Sequence, residues 1–141
     1  MKQDLELQLQ KKYPKILCDL YGNEMKTCMA FGLECGDGWY DLLDQCMAKI
    51  QLFCDLCSKD GREVQLVAAQ IKAKYATLRF YVDIYGANEL EQEILYDIVD
   101  KAERLSDNTC EICGKHGKTY TKGWHVTLCH EHALENGKLE K

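Results

Sequence analysis

The sequence predicts an α+β fold, in which two amphipathic helices pack on a small antiparallel sheet and a compact module closes the C-terminus. Three observations carry this expectation. Residues 38–57 and 89–105 repeat apolar side chains at helical spacing. Between them, residues 64–71 and 78–84 are rich in β-branched and aromatic residues, and the connection separating them suits a hairpin. Near the end of the chain, Cys110 and Cys113 form a Cys-x2-Cys pair, and Cys129 with His132 repeats that gap after fifteen intervening residues.

Residues 3–12 read as a short helix in which Leu5, Leu7 and Leu9 give a mixed pattern. Pro14 limits it, and 15–20 can add another turn or two. Tyr21-Gly22-Asn23 reads as a turn, and the short apolar stretch 25–33 as a strand. Asp37 is placed to cap a helix that starts at Gly38 and runs to about Cys57. At about 100° per residue, Trp39, Leu43, Cys46, Ile50, Phe53 and Cys54 share one face, with Asp37, Asp41, Asp44 and Asp55 opposite. The polar run 58–61 ends that helix.

In the second strand Arg79 and Tyr81 share one face, and Phe80 and Val82 the other. Tyr85-Gly86-Ala87-Asn88 closes it. The helix over 89–105 is expected to turn Leu90, Ile94, Ile98, Ala102 and Leu105 inward and Glu89, Glu93, Asp97, Asp100 and Arg104 outward. No linker rich in Gly, Pro or Ser follows. Residues 1–106 are therefore expected to form the core domain, and 107–141 a module docked on it.

The composition is that of an ordinary globular chain, with 141 residues, 46% hydrophobic and 29% charged. No apolar run approaches the roughly 20 residues that span a bilayer. The first fifteen residues lack the apolar centre of a secretory signal, so a cytoplasmic location is expected. Nine cysteines are then read as metal ligands and core thiols rather than a disulfide framework. The net charge of −5 argues against broad, nonspecific affinity for nucleic acid. Residues 1–106 carry 18 acidic and 13 basic side chains, whereas 107–141 carry five of each.

Thiolate and imidazole suit zinc, and four such ligands complete its tetrahedron. Cys110, Cys113, Cys129 and His132 are the expected set, with His132 favoured over His130 because Cys-x2-His repeats the gap of the first pair. Gly114 lets the chain turn sharply after the second thiolate. Lys118–Tyr120 and residues 124–128 can pair as a hairpin, leaving Cys129 at a strand–helix junction and His132 in the first helical turn. Knuckle, hairpin and helix in that order suggest a treble-clef-like finger, with a plain zinc ribbon as the competitor. One structural Zn2+ per chain is expected, since four protein ligands leave no open position for catalysis. Cys54 and Cys57 have similar spacing but fall on the apolar side of a helix, and core packing is the favoured reading.

The loop between the metal pairs is basic and carries two aromatics. Lys115, Lys118, Tyr120, Lys122 and Trp124 could touch phosphates and stack on bases. A solvated hairpin with Trp124 packed on the domain is the favoured alternative, and Lys72 and Lys74 extend the patch only if the fold brings them near. Glu34, Asp37, Asp41 and Asp44 read as a hydrated acidic surface rather than a carboxylate metal site. His125 raises the possibility of HNH-nuclease chemistry, but no adjacent His-His or Asp-His pair accompanies it. No Gly-rich phosphate loop and no G-x-S-x-G elbow is present.

Three segments, FGLECGDGWYDLLDQCM, QIKAKYATLRFYV and CEICG with GWHVTLCHEHA, are similar in content and order to a family of small phage- and prophage-encoded proteins. The resemblance spans residues 13–133. It rests on Glu-Cys-Gly-Asp-Gly-Trp at 34–39, Gln-(Val/Ile)-Lys-x-Lys-(Phe/Tyr) at 70–75 and Leu-Arg-Phe-Tyr at 78–81. It implies an origin and a metal site rather than an activity. The family's last metal pair, Cys-x2-His or Cys-x2-Cys, implies His132 as ligand. Ala76-Thr77 departs from the Gly-Gly or Gly-Thr of relatives, which bears on the tightness of the hairpin turn.

These readings together lead to the expectation of a non-enzymatic, zinc-containing accessory protein that binds a host macromolecule. A host protein is the first expected partner, as the target of an inhibitor of a host defence or process. A nucleic-acid-binding module using the finger loop is the alternative. An HNH-like nuclease and a nucleotide-sequestering protein follow behind it.

Overall fold

One hairpin positions everything else in the computed structural model, which describes residues 1–140. Strands β1 (Gln65–Lys74) and β2 (Thr77–Tyr85) pair antiparallel from Gln65 opposite Tyr85 to Lys74 opposite Thr77. The register shifts between Ala68 and Gln70, so β1 carries one extra residue. Side chains alternate across a strand, and a bulge of one residue therefore reverses which parity points inward. Leu66 and Ala68 are buried before the bulge and Ile71 after it, facing Leu78 and Phe80. Lys72, Lys74, Arg79 and Tyr81 take the other face. The split of Arg79 and Tyr81 from Phe80 and Val82 is the one expected.

The hairpin closes through two residues, Tyr75 (φ +52°) and Ala76 (φ +70°). Two consecutive left-handed residues match the twist of the flanking strands, a role usually given to Asn-Gly. Absence of glycine at Ala76-Thr77 has not loosened the turn; Ala76 is buried and holds it tight.

Each edge of the hairpin is covered over part of its length. Leu78 N donates to Ser106 Oγ and Phe80 N to Glu103 Oε2, each at 2.9 Å, so α3 (Glu89–Ser106) covers the β2 edge. On the β1 edge, Ala68 N bonds Ile16 O, Glu34 N bonds Ile71 O and Ala73 N bonds Glu34 O. Unpaired strand edges template unwanted pairing, and these contacts shorten the edge left exposed.

Helix α1 (Gln3–Lys12) and helix α2 (Tyr40–Cys57) complete the main core. Trp39, Leu43, Cys46, Met47, Ile50 and Cys54 are buried in one cluster with Leu9, Leu17, Met29, Leu66 and Leu78. Beyond α3 come β3 (Lys118–Tyr120), β4 (Val126–Leu128) and α4 (His130–Glu135). They enclose a second, small cluster of Cys110, Tyr120, Leu128, Cys129 and Ala133. No helix of the described residues is long and apolar enough to cross a membrane.

Three expectations require correction. Residues 25–33 form no strand; Cys28–Phe31 is a single 3-10 turn, capped by the Thr27 side chain. Asp37 does not cap α2, because its carboxylate accepts from Lys2 N and the helix is entered through the 3-10 turn Asp37–Trp39. The buried stripe of α3 is Leu95, Val99, Ala102 and Ser106, while Leu90 and Leu105 are exposed. That helix is rotated because it must serve the β2 edge with polar groups, Glu103 and Ser106, which a hydrophobic pattern reads as outward.

The start of α3 yields a pH prediction. Asn88 and Glu91 form a capping box, and Arg62 Nη2 holds both Glu91 oxygens at 2.7 Å. The Asn88 amide, then Arg62, then Cys57 bring Glu91 down from 4.5 to about 2. A depressed folded value means that the stabilisation is complete above the unfolded value and is lost as pH falls through the folded one. A carboxyl titration of Glu91 followed by NMR is expected to have its midpoint near 2. A midpoint at the ordinary glutamate value would refute the box.

Candidate metal centre

Local geometry delivers each ligand. Cys110 N donates to Lys115 O at 2.8 Å and Gly114 N returns to Cys110 O at 2.9 Å, closing the knuckle. Gly114 takes φ +80°, and a Cβ there would stand 2.9 Å from Gly38 O. Both facts require glycine. Strands β3 and β4 pair antiparallel and lead into Cys129. Its Sγ accepts from His132 N at 3.5 Å and caps α4, so the first helical turn brings His132 back towards the sulfurs.

The four ligand atoms of Cys110, Cys113, Cys129 and His132 lie within 4.8 Å of one another. Cys113 Sγ is 3.7 Å from Cys129 Sγ, and His132 Nδ1 is 3.2 Å from Cys129 Sγ and 3.6 Å from Cys110 Sγ. Zinc bonds of about 2.3 Å to sulfur and 2.0 Å to nitrogen give a tetrahedron with edges of about 3.8 Å (S–S) and 3.5 Å (S–N). These three edges lie within a few tenths of an ångström of those values. The cluster fits zinc, and Nδ1 is the imidazole ligand atom. Nε2 faces Glu135 Oε2 at 3.9 Å, on the side where a carboxylate orients a ligating histidine. His130 is exposed and outside the cluster. Knuckle, hairpin and helix follow in treble-clef order.

The ligand thiols differ: burial, with the neighbouring Cys110 and Cys129, raises Cys113, whereas Cys110 is lowered. Burial opposes ionisation of Cys110, but the amides of Cys129, Cys113 and Ile112 outweigh it and hold the thiol below its ordinary value. Elsewhere the reverse holds. Burial pushes Cys35 and Cys46 up to about 12 and raises Cys54 and Cys57. These are neutral thiols, and no second Cys, His, Asp or Glu cluster with ligand geometry occurs among the described residues. Asp44 is bound to Lys12 and Asp37 to Lys2, as a solvated acidic surface would be.

The segment 34–39 seats this module on the core. Gly36 N donates to Glu111 Oε2 at 2.9 Å, Gly38 N to Glu111 O at 2.8 Å, and Trp39 Nε1 to Thr109 O at 2.9 Å. A Cβ on Gly38 would fall 2.2 Å from Cys110 O. The glycines of Glu-Cys-Gly-Asp-Gly-Trp thus admit the knuckle backbone, and its tryptophan anchors the chain leading into it. A second seam joins the two hairpins, where buried Thr127 Oγ1 donates to Ala76 O at 2.8 Å.

Beside that seam lies a cleft of about 460 Å³, lined by Lys72, Ala73, Lys74 and Tyr75 on one wall and Gly123, Trp124 and His125 on the other. The fold does bring Lys72 and Lys74 to the finger loop. Trp124 is 82% exposed, contrary to the expectation that it packs on the domain. Lys138 Nζ pins its loop by donating to Lys122 O and Trp124 O at 2.7 Å. Tyr120 is corrected as a contact residue: only 9% exposed, it belongs to the small core, beneath Lys118. Its strand alternation puts it inward. Lys115 and Lys118 are exposed but do not line the cleft. Tyr75 was missed by sequence reasoning, although an aromatic in a two-residue hairpin turn has nowhere to be buried. His125 meets Tyr75 edge-on, with ring centroids 6.1 Å apart, and no metal-binding group assembles around it.

No protein-family model, curated protein or solved structure matches the chain.

Proposed function

We propose that this is a non-catalytic, zinc-containing accessory protein that binds a macromolecule through the cleft between the two hairpins. The zinc is structural, one per chain, because three thiolates and an imidazole fill its tetrahedron and leave no position for substrate or water. The observation that carries the reading is the pair of solvent-exposed rings, Tyr75 at 68% and Trp124 at 82%, on opposite walls of one cleft. Exposed apolar side chains grouped around one cleft, unlike those scattered singly, mark interaction surfaces. The resemblance to phage- and prophage-encoded proteins puts the partner in a bacterial host, with interference in a host process as the consequence of binding.

The test compares bacterial macromolecules retained by the immobilised zinc-loaded protein and by a Tyr75→Asn/Trp124→Ala double variant. A species held by the first and lost from the second is the expected outcome. Identical retention on both would remove the cleft as the binding surface.

A further inference from the structure

We infer that the cleft binds single-stranded nucleic acid, with bases stacked on Tyr75 and Trp124 and phosphates met by Lys72 and Lys74, and with Arg79 beside Lys72 at its margin. This rests on the binding-protein reading above and names the ligand class.

Stacking needs flat faces held open to solvent and fixed in orientation. The backbone of Tyr75 is set by the left-handed turn it occupies, and that of the Trp124 loop by the two carbonyls that Lys138 grips. His125 borders Tyr75 as a third flat ring. Among the described residues Lys72, Lys74 and Arg79 form no ion pair and no carboxylate lines the cleft, while Lys74 Nζ stands over the Tyr75 ring, 5.7 Å from its centre. Lys72 and Arg79 also stand directly opposite one another across the strands, on the outer face. Like charges in that position destabilise a sheet. Arg79 Nε is buried without a hydrogen-bond partner. A phosphate diester beside them would relieve the repulsion.

The same features argue against a protein partner. Tyrosine and tryptophan suit either, but lysine is depleted at the centre of protein interfaces. Here two lysines share a wall with Tyr75, with Ala73 as the one aliphatic lining residue. The chain's net charge of −5 limits the footprint to a few phosphates. Two or three contacts on a single strand give a log–log salt slope of about −1.4 to −2.1.

The test is fluorescence anisotropy on the zinc-loaded full chain with a short oligothymidylate, an oligouridylate, a duplex of equal length and ATP. Both single strands should bind, more tightly than the duplex or ATP. Tyr75→Asn removes the ring while suiting the left-handed turn, and Trp124→Ala removes a side chain that packs on little. Each should weaken binding by about 5- to 150-fold, the range for one lost stacked base. Melting temperature and zinc content should not change, and Trp124→Phe should restore most of the affinity. Lys72→Gln and Lys74→Gln should each reduce the salt slope by about 0.7.

Absence of binding at low salt overturns the inference, as does binding indifferent to both ring variants. ATP binding as tight as the oligonucleotides would also overturn it, because the cleft would then be a mononucleotide site. A photoreactive benzoylphenylalanine at position 124 separates this inference from the reading it rests on. Cross-linking to a protein with no oligonucleotide binding sinks the ligand class and leaves the binding reading standing. No cross-link to any macromolecule, with no oligonucleotide binding, sinks both.

Discussion

Gly38→Ala should unseat the zinc module from the core. The added methyl would meet Cys110 O at 2.2 Å and the Glu111 backbone at 2.7 Å, and neither is the movable end of a side chain. Relief requires the knuckle to retreat, breaking the Gly38 N to Glu111 O bond and pulling Thr109 from the Trp39 indole. Overpacking of this kind costs about 1–3 kcal/mol, and loss of the adjoining hydrogen bonds moves it to the upper end. Gly61→Ala is the control: it shares the chemical change and carries only backbone strain at φ +82°, since nothing lies within 4 Å of the new methyl. Thermal melting and amide exchange over residues 109–114 read the difference. A Gly38→Ala protein as stable and as protected as Gly61→Ala would refute the seating role of the 34–39 segment.

Chelation of zinc should unfold residues 107–140 and leave the main core standing. The module's own cluster is five buried residues, far too few to offset the conformational entropy of its chain. In zinc-finger peptides the metal supplies roughly 10–16 kcal/mol of apparent binding free energy, which is their folding free energy. The main cluster, by contrast, is built from α1, α2, α3 and the β1–β2 hairpin and contains no ligand of the metal. Metal analysis should find one zinc per chain. After chelation, far-UV circular dichroism should retain the signal of α2 and α3, while exchange protection over 110–132 disappears. Protection unchanged in the metal-free protein would rule out a structural metal.

What was legible in the sequence was local. The ligand set follows from two gaps of two residues and a Gly after the second cysteine, all within 23 residues of chain. The apolar stripe of α2 and the paired strands are likewise short-range patterns, and the structure contains both. The bulge at Ala69 interrupts the alternation of β1, and the strand runs on to Lys74, three residues past its expected end.

The failures come from contacts made far along the chain. Nothing near α3 announces that Ser106 and Glu103 must satisfy the amides of Leu78 and Phe80, so its inward face was misjudged by about a third of a turn. Asp37 had the right residue type for a helix cap, but the amide it serves is Lys2, at the start of the chain. The opposition of Tyr75 and Trp124 depends on two hairpins meeting at the Thr127–Ala76 bond, 51 residues apart. No window of sequence contains it.

That bond has a consequence for linkage. One wall of the cleft belongs to the β1–β2 hairpin, and the other lies in the chain between the candidate metal ligands Cys113 and Cys129. A ligand lying across both walls is a tether between two bodies, and it binds fully only while the second is folded. Binding free energies are reciprocal: whatever factor metal loss takes from the ligand's affinity, the bound ligand returns to the metal's. Occupancy of the cleft should therefore tighten the equilibrium hold on zinc at a site it never touches.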